Sequence, residues 1–326
     1  MSKNNQTVFI WVDFSEEIGL GHVSRCASLA DVLSNYYEIK IVSRNSETSN
    51  FFKGYEFIKI PNEINLASNS FVEILKDNNA YLAITDVKYN LNEDFFYNIK
   101  NNSKKYICIE NISPGVFYAD MLLFPALHFN PDIFKKTFHK DIDHSKIFHG
   151  EDWVIIRKEV EDYRISESKN NGDIVITTGG TDPNGIFFIL WEIFKKIDVK
   201  AYFLIGENFK YRDKLPKGYK KLVVESFNLK RITDSSVVIS SFGVSIVECL
   251  YLNKKVLGIT HHQEDDILSE NLSSKISSYF HIGNYREINF KDIKNQLLLA
   301  KNYDASQIQN LIDGKGKKRI LDWVRA

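Results

Sequence analysis

The chain has 326 residues, too long for one ordinary core and comfortable for two domains of about 150 residues each. Its 42 Lys and Arg balance 42 Asp and Glu, so no global field would hold it on nucleic acid or on an anionic membrane, and a small-molecule partner fits better. Cys26, Cys108 and Cys249 lie too far apart in sequence to suggest a disulfide framework or a metal knuckle.

The first residues are polar and lack the apolar run of a signal peptide, and the longest apolar stretch, 186–191, stops at Glu192. The expected location is therefore cytoplasmic, with no stable membrane insertion. Short β-rich runs alternate with amphipathic stretches along the whole chain, the pattern of parallel sheets covered by helices. Residues 8–12 form a continuous apolar strand, 13–21 a polar loop ending in Gly19-Leu20-Gly21, and 22–36 a helix with Val23, Cys26, Leu29, Ala30 and Leu33 on one stripe. Further strands are predicted at 39–42, 57–60, 81–85 and 106–109.

Between residues 124 and 164 the periodicity weakens, with Pro125, Pro131 and many charges, which predicts a linker and a boundary dividing domains 1–150 and 151–326. The second half restarts with a strand at 173–177, a glycine-containing loop at 178–185 and a helix at 186–196; strands follow at 201–205, 237–240 and 256–259. The stretch 302–326 reads as helical and is a candidate to cross back onto the first domain. The expected fold is α/β, of GT-B type, with two Rossmann-like parallel-sheet domains facing a cleft.

In open parallel sheets ligands collect beyond the carboxyl ends of the strands, which directs attention to the loops after residues 12, 85, 177, 205, 240 and 259. His22 follows Gly-Leu-Gly at a helix start, where the unpaired amides disfavour imidazolium and suit a neutral base. Asp13, at the end of the first strand, is the candidate to orient it. The residues alone leave open the other reading, a histidine that merely packs or caps the helix.

Thr178-Gly179-Gly180-Thr181-Asp182 lies between a strand and a helix and offers amides and hydroxyls to a phosphate. Neither a Walker A lysine nor a complete G-x-G-x-x-G is present, which weighs against ATP hydrolysis and dinucleotide binding. A second such corner, Ser240-Ser241-Phe242-Gly243-Val244-Ser245, is followed one helical turn later by Glu248, suited to accept hydrogen bonds from ribose hydroxyls. After residue 259, Thr260-His261-His262-Gln263 precedes acids whose spacing matches no metal motif; a sugar-contacting loop is expected there, and neither metal nor cofactor.

The residues resemble the UDP-sugar hydrolases of pseudaminic acid biosynthesis and the related spore-coat polysaccharide proteins, distant relatives of the MurG glycosyltransferases. The resemblance rests on Asp13 with Ile18-Gly19-Leu20-Gly21-His22 and Arg25, on Asp86, on Gly150 with Ile156-Arg157-Lys158-Glu159, and on Thr178 to Asp182. It continues through Ser240-Ser241, Val244 to Glu248 and Gln263, and ends in Asp313-Gly314-Lys315-Gly316. It implies a UDP site in the C-terminal domain, with Gly179, Gly180, Thr181, Asp182, Ser241, Gly243, Val244, Ser245 and Glu248 as contacts. It also implies a metal-free sugar site in the N-terminal domain, with His22 and Asp13 catalytic and Gly19, Gly21, Arg25, Asp86, Lys88, His262 and Gln263 near the sugar. Trp11, Val87-Lys88 and His262 depart from the family pattern, all near the expected sugar pocket, and leave the sugar open. The activity implied is hydrolysis of a UDP-linked sugar; a glycosyltransferase of the same fold and a non-catalytic nucleotide-sugar binder are the competing readings.

Overall fold

The computed structural model describes residues 6–14, 20–138, 143–164, 172–304 and 311–326. The chain divides into two units, one comprising Met1–Arg157 with Gly314–Ala326 and the other Lys158–Asp313.

In the first unit the elements run β1 (Thr7–Val12), α1 (Gly21–Leu33), β2 (Glu38–Ser43), β3 (Glu56–Lys59), α2 (Ile64–Asp77), β4 (Ala80–Asp86), α3 (Glu93–Asn101), β5 (Ser103–Ile109), β6 (Met121–Phe124), α4 (Asp132–Phe138) and β7 (Ile147–His149). Seven parallel strands lie in the order β3-β2-β1-β4-β5-β6-β7. Alternation along a strand explains why the sheet is covered on both faces. Val8, Ile10 and Val12 pack with the α1 stripe of Val23, Cys26, Leu29, Ala30 and Leu33, while Phe9 and Trp11 pack on the opposite face with Phe71 and Phe95 of α2 and α3.

The second unit contains α5 (Lys158–Arg164), β8 (Ile174–Thr177), α6 (Ile186–Phe194), β9 (Ala201–Ile205), β10 (Leu222–Ser226), α7 (Leu229–Asp234), β11 (Val237–Ser241), α8 (Val244–Tyr251), β12 (Lys255–Thr260), α9 (Gln263–Lys275), β13 (Tyr279–Asn284) and α10 (Phe290–Asn302). Its strands are ordered β10-β9-β8-β11-β12-β13, all parallel. The final helix, α11 (Gly316–Arg325), belongs to the first unit, where Ile320, Leu321 and Val324 join the α1 side of the core. Its last turn is fixed by Tyr81 and Lys105, whose Oη and Nζ donate to the Val324 carbonyl at 3.0 and 2.9 Å.

The expected linker at 124–164 is replaced by structure: the end of β6, then α4, β7 and α5 occupy much of it. Short elements broken by proline and charge carry too few apolar repeats to register as a period.

Candidate active site

Each sheet reverses its build direction once, between β1 and β4 in the first and between β8 and β11 in the second. At such a switch point the two flanking loops diverge and leave a crevice at the carboxyl ends of the strands.

In the first unit, Val12 of β1 is the register partner of Asp86, the last residue of β4. The α1 helix starts at Gly21, so His22 stands on its first turn, and Arg25 follows one turn later on the same side. His22, Arg25 and Asp86 are all buried. The Asp86 Oδ1 atom lies 2.5 Å from His22 Nδ1, and Arg25 donates to the same carboxylate through Nε (2.5 Å to Oδ2) and Nη2 (2.6 Å to Oδ1). Because a carboxylate only accepts, the contact with Asp86 calls for the proton on His22 Nδ1, which in the neutral ring leaves the lone pair on Nε2; the Arg25 Nη2 donor stands 2.8 Å from the same Nδ1.

Burial alone would raise the pKa of Asp86, but Arg25 and His22 more than offset that and hold its carboxyl well below the usual range. The remaining edge of Arg25 is also paired, Nη1 lying 2.6 Å from Glu110 Oε1. Glu110 follows the last residue of β5 with φ at +48°, a left-handed backbone that a non-glycine residue adopts only where its surroundings fix it. The sequence reading missed it, although an acid directly after an apolar strand was the available signal.

Asp13 does not orient His22. It stands at the end of β1 on the side of β2, where its carboxylate accepts from Ser43 Oγ (2.8 Å), the Arg44 backbone amide (2.7 Å), Arg44 Nε (2.8 Å) and Tyr89 Oη (3.0 Å). Arg44 also bonds Tyr89 Oη and packs its guanidinium 4.2 Å from that ring. Neither Arg44 nor Tyr89 was expected at the site.

Lys88 is exposed two residues beyond Asp86. Trp11 is fully buried, 5.2 Å from Phe71 and 5.6 Å from Phe95 between ring centroids, and among the described residues its indole Nε1 has no hydrogen-bond partner. Val87 is likewise core. Gly19 lies outside the described residues.

In the second unit the loops after β8, β11 and β12 come together. Gly179 has φ at +85°, and a side chain there would begin 3.4 Å from Ser241 Oγ, so glycine brings the first corner up to the second. Asn184 Nδ2 lies 2.9 Å from His261 Nδ1, joining the first corner to the third. Gly180 is backed by Gly206, where an added Cβ would stand 2.6 Å from the Gly180 carbonyl oxygen.

The expectation of free amides at the start of α6 is corrected. Asp182 is fully buried and accepts from the Ile186 and Phe187 amides at 2.9 Å each, so its carboxylate occupies the helix terminus that a phosphate would use. Burial raises its pKa, partly offset by those amides and by Thr178.

The other corner differs. Gly243 caps α8 without any side-chain hydrogen bond to the helix; it is exposed, and Val244 and Ser245 are partly exposed. Glu248 is buried one turn into α8. Thr181 is also buried, its carbonyl accepting from the Lys210 amide at 3.0 Å. His262 caps α9 from an exposed position, and Gln263 is its exposed first residue. Among the described residues no group of three or more His, Cys, Asp or Glu is placed to hold a metal ion, and no helix is long and apolar enough to cross a membrane.

No protein-family model matches the chain. An uncharacterised protein of Methanocaldococcus jannaschii is 25% identical over 339 aligned positions, covering 97% of this chain and 66% of that protein, so the chain spans just under two thirds of its relative. Among solved structures, MurG of Acinetobacter baumannii superposes with a TM-score of 0.68 at 10% identity, covering 98% of this chain and 99% of that one. The UDP-GlcNAc 2-epimerase of Neisseria meningitidis, solved bound to UDP-GlcNAc, gives 0.64 at 14% identity over 98% and 100% of the two chains. That of Methanocaldococcus jannaschii, solved with UDP-GlcNAc and UDP, gives 0.61 at 14% identity over 98% and 99%. At these identities the likeness establishes the fold: two parallel-sheet α/β domains of GT-B type.

Proposed function

We propose that this chain is an enzyme acting on a UDP-linked amino or deoxy sugar, and that it hydrolyses the anomeric bond to release UDP and free sugar for nonulosonic acid or related surface-polysaccharide synthesis. The observation that carries the reading is the buried Asp86-His22 pair, which fixes the ring and leaves Nε2 as a base beside the switch point of the first sheet. The fold shared with enzymes solved with UDP-GlcNAc supports the nucleotide-sugar class.

The roles divide between the units. In the second, the amides of Gly243, Val244 and Ser245, with Gly179, Gly180, Thr181 and Ser241 around them, cradle the pyrophosphate, and Glu248 accepts from the ribose hydroxyls. Asp182 supports this corner by capping α6. In the first, the candidates to handle the sugar are His22 and Arg25 with Asp86 behind them, and Gly19, Gly21 and Lys88; in the second, His262 and Gln263 are further candidate substrate contacts.

His22 Nε2 takes a proton from water as its oxygen attacks the anomeric carbon. The bond from that carbon to the β-phosphate oxygen breaks, and its electron pair leaves with UDP. Because UDP is a stable anion held by amides, neither a second carboxylate nor a metal is required.

The fold is equally that of an epimerase and of a transferase, and one experiment separates the three. Purified protein is incubated with a panel of UDP-sugars, with and without chelator, and UDP and sugar products are measured. Release of UDP and free sugar without acceptor, surviving chelation, is the expected result. UDP formed only when a glycan or lipid acceptor is supplied would establish a transferase, and an isomerised UDP-sugar with no UDP released would establish an epimerase.

A further inference from the structure

Glu110 has no place in the reading above, yet it completes the cluster around His22. The charged or titratable groups in this cluster include Arg25 and Cys26 on α1, Asp86 at the end of β4, Glu110 just beyond β5, and Cys108 of β5, whose thiol is pushed up to about 12 by burial so that it stays uncharged. Cys26 directs its Sγ at Asp86 Oδ2, 3.4 Å away, and burial first, then Asp86, pushes its thiol well above the usual range, so it stays uncharged. The fixed charges are then one cation and two carboxylates. Arg25 Nη2 stands 2.8 Å from His22 Nδ1 and opposes an imidazolium; the Asp86 carboxylate cancels only that one cation.

We propose that Glu110 is a positioning residue which, through Arg25, locks Asp86 against His22 and supplies the surplus negative charge that allows His22 to accept a proton. With neutral His22 the cluster carries one net negative charge, and with imidazolium it is neutral. Without Glu110 the corresponding states are neutral and positive in a buried site, so proton uptake is opposed by the uncompensated guanidinium. The backbone supports a dedicated role: the Glu110 amide donates to the Leu123 carbonyl at 3.0 Å, holding the residue at φ +48° with its carboxylate on Arg25.

The inference rests on His22 being the base, and its test is readable without turnover. The midpoint of His22 titration is followed by NMR of the imidazole nitrogens in wild type, Glu110→Gln, Glu110→Asn and Glu110→Asp. Asn and Asp both tolerate a left-handed backbone, so that pair isolates the charge even if Glu110→Gln fails to fold. The expected result is a midpoint lowered by about one pH unit in the Gln and Asn variants and retained in Glu110→Asp. The acid limb of any UDP-releasing activity should move down with it, because imidazolium is the inactive form. An unchanged midpoint in folded Glu110→Asn overturns the proposal. If the midpoint moves while wild-type protein releases UDP from no UDP-sugar, the hydrolase reading falls and the charge coupling stands.

Discussion

Asp86 Oδ1 receives two donors, the Nδ1 of His22 at 2.5 Å and the Nη2 of Arg25 at 2.6 Å, which ties the ring and the guanidinium to one carboxylate oxygen. Replacing that oxygen tests whether its task is orientation. In Asp86→Asn the amide no longer fixes the proton on Nδ1, while Arg25 keeps Glu110 as a partner and the core changes little in volume. The rate of UDP release should fall by about 100-fold or more, with UDP affinity by calorimetry unchanged. A wild-type rate in this variant would remove Asp86 from the mechanism.

The same carboxylates set the acid stability of the protein. Asp86 is buried and Glu110 partly buried, which would raise their pKa values, but Arg25 and His22 outweigh that and hold both below their ordinary values of 3.8 and 4.5. In this range the unfolded chain binds more protons than the native one, so stability is fully present above the ordinary values and is lost as pH falls below them. Asp182 has the opposite sign, because burial raises its pKa and its contribution declines as pH rises through the raised range. Melting temperature should therefore drop on acidification below about pH 4.5, with a shallower slope in the double variant Asp86→Asn/Glu110→Gln. Equal slopes in the two proteins would show that the acid transition lies elsewhere.

The second unit yields a contrast between a contact and its support. Glu248→Ala should weaken UDP binding by roughly 10-fold to 150-fold, the worth of hydrogen bonds to a charged group. In Gly206→Ala the new Cβ would meet the Gly180 carbonyl oxygen at 2.6 Å, which only a backbone shift can relieve. This variant should lose about 1–3 kcal/mol of stability and also bind UDP more weakly, although Gly206 is not proposed to touch the ligand. Calorimetric titration with UDP measures both affinities, and thermal melting the stability of Gly206→Ala. Unchanged UDP affinity in Glu248→Ala removes the ribose assignment.

The interior of both sheets was legible in the sequence because a strand buried on two faces is an unbroken apolar run, as in residues 8–12 and 201–205. Four strands were not, although the edge strand β3 was: β10 and β13 are partly exposed and carry Glu225, His281 and Asn284, and β6 and β7 are too short to show a period. The site was half legible. His22 follows from its place at a helix start, whereas Arg25 and Asp86 entered only through the family resemblance, and Asp13 and Asp86 are equivalent in local sequence, each an acid closing a strand. What separates them is that β1 lies between β2 and β4, turning Asp13 toward Arg44 and leaving Asp86 to face α1. Such neighbour relations arise from sheet order, which local pattern does not encode.

His22 carries the enzymatic reading, and its burial makes a structural role the serious competitor. Its ring lies in a charged cluster, not an apolar one, with Nδ1 committed to Asp86 and Arg25 within 2.8 Å. Removing the ring in His22→Ala deletes a hydrogen bond to a buried carboxylate, but Arg25 continues to hold that carboxylate through Nε and Nη2. The stability cost should then be modest, about 1.5–3 kcal/mol for the lost charge-assisted bond. The chemical step has no such substitute, since among the described residues no other imidazole contacts Asp86. The rate of UDP release should therefore fall by roughly 100-fold or more, while UDP affinity stays at the wild-type level because its proposed anchors belong to the second unit. His22→Asn, closer in polarity, should recover part of the stability and none of the rate. If His22→Ala melts early yet turns over normally, the histidine is a structural partner of Asp86 and the base must be sought elsewhere.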